Sequence, residues 1–416
     1  MFNIPKGTKD VLPQDAYKWH YVEAAARETA RLFNIKEIRT PAFEHTELFL
    51  RGVGGTTDIV NKEMYTFIDK GNRSITLKPE GTAGVARSFV ENSLYALPLP
   101  LKTYYFTPVF RYERPQSGRL REHHQFGVEF FGSYAPEMDV EAIAVAKSLF
   151  NRLGLDRLIL NINSIGCAEC RKAYNNALKA YFAERIADMC ETCRDRLDKN
   201  PLRILDCKVP ACIEINRGAP KTIDYLCGDC KKHMDGVENG LKALNIEYTV
   251  NPYIVRGLDY YTRTVFEFIS DEIGAQGTVC GGGRYDNLIS EVGGKPCGAA
   301  GFGIGLERLI MILEAAEKLP ADTETPDIFI GYLGENAKIE AFKLVNILRA
   351  HGLSADTDFN GRSVKAQMKY ADKTGAKYTA VLGDRELADK VIDVKNMATG
   401  GATQIKIENM AEFLLK

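Results

Sequence analysis

Three runs of alternating aromatic and β-branched residues constrain this chain more than any other feature: TYYFTPVFRYE, HQFGVEFFG and YYTRTVFEF. Such residues fit a pleated, half-buried surface, and side chains two apart share a face. Clustered runs of this kind read as neighbouring strands of one large antiparallel sheet with polar groups on one face. The last run is odd. In RGLDYYTRTVFEF, Arg256 to Phe268, an Arg opens the stretch, an Asp follows, and Arg263 and Glu267 lie inside it. A plain core strand does not carry that many charges and phenols, so this one must face something polar.

Periodicity predicts helices over 15–33 and 137–153 and a strand over 157–163. From about 166 to 250 the texture turns helical, polar and cysteine-rich, which marks an insertion between two halves of the sheet domain. GFGIGLERLIMILEAAEKL then reads as a Gly-rich strand entering a helix whose apolar face is Leu306, Leu309, Ile310 and Leu313. LPADTETP, 319–326, is a linker by composition. Beyond it β and α segments alternate, with helices over 336–350 and near 363–373, predicting a small α/β domain with a mostly parallel or mixed sheet. The expectation is an α+β protein: a sheet core over 1–165 and 251–320, an insertion over 166–250, and a C-terminal domain over 326–416.

With 416 residues and a net charge of −1, the chain has no global basic excess, so any contact with nucleic acid must be local. No apolar run is long enough to cross a bilayer, and MFNIPKGTKDVLP lacks the apolar centre of a signal peptide. A cytoplasmic location is expected, with no membrane partner.

Three stretches carry chemistry. In FRYERPQSGRLREHHQFGVEFFG, two aromatic strands flank a loop holding Arg114, Arg119 and Arg121. Alternation puts Arg111 and Glu113 on one face of the first strand and Gln125 and Glu129 on one face of the second. An Arg fixed beside a basic loop suits a polyphosphate or a nucleic-acid end; a solvated surface hairpin is the alternative. In LKPEGTAGVAR, the turn at Pro79–Gly81 presents Glu80 and Thr82, either to a substrate ammonium or as a helix start with Thr82 as cap. VCGGGRYD and GFGIGLERL bring glycines that let a ligand approach backbone closely. Neither fits the dinucleotide fingerprint, and no phosphate-binding P-loop motif occurs. Arg308 lies in an apolar helix start, where a guanidinium calls for a phosphate or carboxylate partner; a snorkelling Arg at the sheet edge is the alternative.

RTPAFE, FRYERPQSGRLREHHQFGVEFFG and GFGIGLERL resemble motifs 1, 2 and 3 of the class II aminoacyl-tRNA synthetases. LKPEGTAGVAR, RGLDYYTRTVFEF and GGGRYD resemble stretches specific to the histidyl-tRNA synthetase family, as do KGTKDVLP and GRSVKAQMKYADK near the two ends. The resemblance implies a class II antiparallel-sheet catalytic core, a helical insertion and a C-terminal anticodon-binding domain. It implies ATP with Mg²⁺, L-histidine and tRNA(His) as partners, and a homodimer joined around Pro41. Carried over by position, Arg256, Arg111 and Arg308 would surround the triphosphate as catalytic arginines. Glu113 would read adenine. Glu80 and Thr82 would meet the histidine amino group, with Gln125 and Glu129 in the pocket and Tyr260 and Tyr261 at the imidazole. In the C-terminal domain Arg362, Lys365, Lys369 and Lys373 are spaced to line one helix face, a stripe able to meet tRNA phosphates.

Eight of the ten cysteines fall between Cys167 and Cys230. Cys167–Cys170, Cys190–Cys193 and Cys227–Cys230 are C-x-x-C pairs, and Cys207 and Cys212 form a wider fourth. Four such pairs suit two tetrahedral thiolate zinc sites, or one site with spare thiols, or a set of reduced thiols, with His233 as a spare ligand. Many family members lack these cysteines, so the resemblance does not imply a metal. His123 and His124 read as serving the motif 2 region. A rival function is a non-charging regulator, similar to the regulatory subunit of ATP phosphoribosyltransferase, or a histidine or tRNA sensor. The presence of the C-terminal domain and of all three arginines argues for the ligase.

Overall fold

The computed structural model describes residues 2–53, 57, 59–116, 118–254, 256–270, 277–322 and 324–416. Position 323 of the predicted linker and Ser117 of the motif 2 loop lie outside them. The chain forms two compact units, Met1–Pro320 and Ala321–Lys416. Among the described residues no helix is long and apolar enough to cross a membrane.

In the first unit the strands are Lys36–Glu37 (β1), Phe43–His45 (β2), Tyr65–Ile68 (β3), Ser74–Leu77 (β4), Leu101–Phe110 (β5), Glu122–Phe131 (β6), Ile159–Ser164 (β7), Thr249–Val250 (β8), Thr262–Ile269 (β9), Thr278–Arg284 (β10) and Ala299–Gly305 (β11). Eight of them form one sheet in the order β1-β5-β6-β11-β10-β9-β7-β8. All neighbours pair antiparallel except the two edges, where β1 lies parallel to β5 and β8 to β7. A small sheet, β2-β4-β3, stands apart.

The two-residue period divides the large sheet cleanly. Phe126, Val128 and Phe130 of β6, Ala300, Phe302 and Ile304 of β11, and Phe266 and Phe268 of β9 face one core. Helices Pro13–Leu32, Pro136–Arg152 and Leu306–Ala315 cover that face, and the predicted Leu306, Leu309, Ile310 and Leu313 are buried in it. The opposite face holds Gln125, Gly127 and Glu129 of β6 and Gly301, Gly303 and Gly305 of β11, which pair directly: Gln125 with Gly305 and Glu129 with Gly301. Glycine at every second position of β11 leaves that face hollow.

The insertion has its own small core of Tyr174, Leu178, Phe182, Met189 and Ile204, with Cys193 and Cys212 among them. Its last helix, Gly228–Ala243, instead sends Met234, Val237 and Leu241 into the core beneath the large sheet. A residue missed by pattern reading fixes this corner. Arg284 is fully buried; it donates to Asp139 and to the carbonyls of Ser133 and Ala135, and pairs with Asp286.

The second unit has strands Ile328–Tyr332 (β12), Ala355–Thr357 (β13), Tyr378–Leu382 (β14), Val391–Asn396 (β15) and Ala402–Lys406 (β16) in the order β13-β12-β14-β15-β16. The first three are parallel and the last two antiparallel, the mixed sheet expected. Helix Glu335–Ala350 packs Ala337, Ala341, Val345 and Leu348 against it.

Candidate active site

The hollow face of the large sheet is built around Glu129. Its carboxylate is fully buried. It accepts hydrogen bonds from the hydroxyls of Thr82 at 2.7 Å, Tyr105 at 3.1 Å and Tyr285. Burial pushes its pKa up to about 8, against the pull of those three hydroxyls. Among the described residues it receives only neutral hydroxyls, an environment suited to a cation. Glycines make the room. A Cβ on Gly127 or Gly81 would overlap the Tyr105 ring, and one on Gly301 would strike Glu129 and Tyr285.

Glu80 and Thr82 divide the two readings of their stretch. Glu80 accepts the N–H groups of Thr82 at 2.8 Å and Ala83 at 2.7 Å, so both its oxygens serve the start of helix Thr82–Glu91. Thr82 is not the cap: it is the first helical residue, and its hydroxyl goes to Glu129. Burial raises the Glu80 carboxyl above its usual range. Tyr260, Tyr261 and Tyr285 close the pocket as a buried aromatic cluster, with ring centroids 4.7 Å apart for the first pair and 5.4 Å for Tyr260 and Tyr285.

The charges in RGLDYYTRTVFEF are thereby accounted for. The strand begins only at Thr262, not at Arg256. Residues 256–261 form an irregular segment because Gly257 and a turn at Asp259–Tyr260 break the pleat. Arg256 folds back across the sheet to pair with Glu267, two strand residues beyond Val265, and lies 5.8 Å from the Tyr261 ring centroid. Its Nε is buried without a hydrogen-bond partner among the described residues. Gly281 of β10 leaves the space its guanidinium fills. Arg263 turns the other way, toward Nδ1 of His233 at 3.4 Å. His233 also lies 3.3 Å from Asp139 and is not among the thiol clusters, so it is no metal ligand there.

Arg111, Arg119, Arg308, His123 and Gln125 line one cavity of about 160 Å³. Arg111 and Glu113 do not alternate on a strand as expected, because β5 ends at Phe110. Arg111 instead donates to the Pro79 carbonyl at 2.7 Å and lies 3.8 Å from Glu113, which also pairs with Arg119 at 3.2 Å. Arg308 donates to the Thr278 carbonyl at 2.6 Å. Its pKa is lowered, first by burial and then by the nearby Arg119 guanidinium. Burial, with Arg111 adding to it, drives His123 down to about 3, so it stays neutral. Three guanidiniums, Arg111, Arg119 and Arg308, here face two carboxylates, Glu113 and Glu307, and that local excess of positive charge suits a polyanion. His124 belongs to packing: its ring bonds Glu307 at 2.9 Å and meets Trp19 edge-on at 5.0 Å.

In the second unit, helix Val364–Lys373 exposes Lys365, Lys369 and Lys373 along one side. Arg362 is not on that helix. It precedes the N-cap Ser363, pairs with the buried Asp358 at 2.7 Å and lies 4.6 Å from the Tyr370 ring centroid. The cysteines gather into two clusters, Cys167, Cys170, Cys227 and Cys230 in one and Cys190, Cys193, Cys207 and Cys212 in the other.

The family model for histidyl-tRNA synthetase matches residues 7–192 and 216–309, and that for an anticodon binding domain matches 327–416. The chain is 57% identical to the histidine–tRNA ligase of Clostridium novyi (strain NT) over 98% of its length and 97% of the relative's. It belongs to the histidyl-tRNA synthetase family. Histidine–tRNA ligase from Acetivibrio thermocellus is 54% identical over 99% of the chain and 98% of its own length. The crystal structure of apo Staphylococcus aureus histidyl-tRNA synthetase superposes with a TM-score of 0.84 at 42% identity, covering all of both chains. A histidyl-tRNA synthetase is an aminoacyl-tRNA ligase, and the large antiparallel sheet and C-terminal α/β unit are the class II architecture its motifs implied. Motif reading did not single out Tyr105 or Tyr285, whose signal exists only in three dimensions, as hydroxyls on Glu129; Glu267, noted as an odd charge in its strand, is the carboxylate on Arg256.

Proposed function

We infer that the chain activates L-histidine with ATP to histidyl-adenylate and transfers the histidyl group to the 3′-terminal adenosine of tRNA(His). The observation that carries this reading is one sheet face bearing a buried carboxylate receptor for a cation beside a cavity lined by three guanidiniums. Histidine enters with its cationic side toward Glu129, next to Glu80 and Thr82, and with its ring among Tyr260, Tyr261 and Gln125. ATP arrives as its magnesium complex, the ion offsetting charge on the phosphates; Glu113 and Glu307 are the carboxylates lining the same cavity. The histidine carboxylate oxygen forms a bond to the α-phosphorus while the bond to pyrophosphate breaks. No base is needed, because the nucleophile is already ionised. Charge crowding at phosphorus is the barrier, and Arg256, Arg111 and Arg308 relieve it from different sides. A hydroxyl of the terminal adenosine then attacks the mixed anhydride and AMP leaves.

The catalytic core would comprise 1–165 and 251–320, the insertion 166–250, and the anticodon-binding domain 326–416, whose exposed Lys365 and Lys369 face tRNA with Arg362 nearby. Phe43, two residues after Pro41, and Phe67 and Ile68 of the same small sheet are 55%, 47% and 62% exposed, which supports a homodimer through the motif 1 region. The site of action would be the cytoplasm. The eight insertion cysteines would hold structural Zn²⁺. Charging of a tRNA(His) transcript with labelled histidine tests the whole reading. Stable esterification of that transcript and of no other is expected; none from folded protein would reject it in favour of a sensor or regulator.

A further inference from the structure

The insertion touches the amino-acid pocket, and it does so from beside its thiols. In each cluster the four sulfurs lie within 4.8 Å of one another. The Sγ···Sγ separations are 3.6 Å for Cys167–Cys170, 4.0 Å for Cys167–Cys227 and 3.8 Å for Cys190–Cys207. Tetrahedral zinc with bonds of about 2.3 Å sets its sulfurs about 3.8 Å apart, whereas a disulfide would bring two to about 2.0 Å. Backbone amides already aim at sulfur: Cys227 N–H reaches Cys170 at 3.0 Å and Cys190 N–H reaches Cys212 at 3.3 Å. Such donors favour thiolate and orient the ligand. The subdomain has only a small apolar core, part of it thiol, so a metal staple would matter to it.

Both clusters adjoin the segment that carries Arg256, Tyr260 and Tyr261. Directly before Cys167, Ile165 N–H donates to the Arg263 carbonyl at 2.7 Å, and Arg263 N–H to Gly166 at 2.9 Å. Gly166 is left-handed, at φ +69°, and a Cβ there would strike Cys170, so strand end and first knuckle are in direct contact. One residue after Cys170, Arg171 donates to the Asp259 carbonyl at 3.3 Å. The second cluster closes the chain from Cys193 to Cys207, and inside that loop Arg203 reaches the Arg256 carbonyl and Asn200 the Asp259 carboxylate, each at 3.5 Å.

We propose that each cluster binds one Zn²⁺ and that the two ions together hold residues 256–263 in place, making insertion metal a positioning element of the histidine pocket. The ions do not meet substrate: four thiolates leave no open coordination position. The proposal rests on the ligase reading for its kinetic consequence, but its structural consequence stands apart.

The test uses the full chain purified without chelator. Elemental analysis should find two zinc per chain. Less than about 1.5 equivalents, or iron in place of zinc, overturns the metal assignment. The variants Cys170→Ser/Cys230→Ser and Cys193→Ser/Cys212→Ser should each lose one ion. Because these could unfold the insertion, Asn200→Ala/Arg203→Ala provides the second arm with every thiol intact. It should retain two zinc, exchange the amides of 256–263 with solvent faster, and raise KM for histidine roughly tenfold with a smaller change in KM for ATP. Unchanged amide protection and unchanged histidine KM would overturn the clamp. A zinc-loaded wild type with protected 256–263 amides but no histidine-dependent turnover would reject the ligase reading alone.

Discussion

At the scale of single residues, the site is a set of charges each held by a different device. Arg256 is held by Glu267, and among the described residues its buried Nε meets no hydrogen-bond partner. Replacing it with Ala should reduce histidine-dependent ATP–pyrophosphate exchange by the equivalent of about 2.7–4 kcal/mol, the usual loss for one transition-state charge contact. Near wild-type exchange in Arg256→Ala would remove its catalytic role. Glu129 supports a pH prediction. Its carboxyl is buried and titrates near 8 rather than 4.5, so the folded chain keeps a proton there that the unfolded chain releases. The stability from this proton is full below about pH 4.5 and is lost as pH rises through about 8, by at most about 1.4 kcal/mol per pH unit. Thermal unfolding of Glu129→Gln should lack that component, and its difference from wild type should grow steadily over this window. A difference independent of pH would contradict the assignment. A cation bound beside Glu129 reverses its preference, so histidine binding near neutral pH should release a proton, measurable by calorimetry in buffers of unlike ionisation enthalpy.

At the scale of elements, the face of the sheet is decided by glycine. Gly127 and Gly81 admit the Tyr105 ring between them, and that ring carries a hydroxyl to Glu129. Gly127→Ala should destabilise the fold by about 1–3 kcal/mol, the cost of overpacking a filled site, and should raise KM for histidine by displacing Tyr105. Unfolding and exchange measured on one preparation would show both effects; an unchanged melting temperature would mean the ring has room to move. This pattern explains what the sequence made legible. Alternation alone foretold the sheet and put Gln125 and Glu129 on one face, because register and period are local properties. It mistook Arg111 and Glu113 for strand residues, since β5 stops where the hairpin pairing gives way to the loop. It ran the third strand six residues too far, because Tyr260 and Tyr261 suit a strand locally but pack instead as an aromatic cluster with Tyr285. Arg362 fitted a helical spacing but is claimed by Asp358, a partner no spacing rule reveals. Which cysteines share a cluster was equally invisible, as it depends on how helices Ala168–Ala183 and Gly228–Ala243 bring their first turns together.

At the scale of the whole molecule, the two compact units are proposed to do two kinds of work. The first unit holds every group assigned to histidine and ATP; the second, with its own core and an exposed lysine stripe, is assigned to tRNA. Lys365→Glu/Lys369→Glu should therefore leave exchange without tRNA unchanged and raise KM for tRNA(His) in charging, with a shallower salt dependence as phosphate contacts are lost. An equal loss in both assays would mean the stripe serves folding or the first unit. The central claim is that one sheet face recognises histidine and activates it with ATP. ATP–pyrophosphate exchange in the presence of each amino acid in turn, without tRNA, tests it most directly. Exchange with histidine alone is expected, because a different side chain would leave the buried Glu129 and its hydroxyls unmatched. Exchange with no amino acid, from folded protein with both units intact, would contradict it.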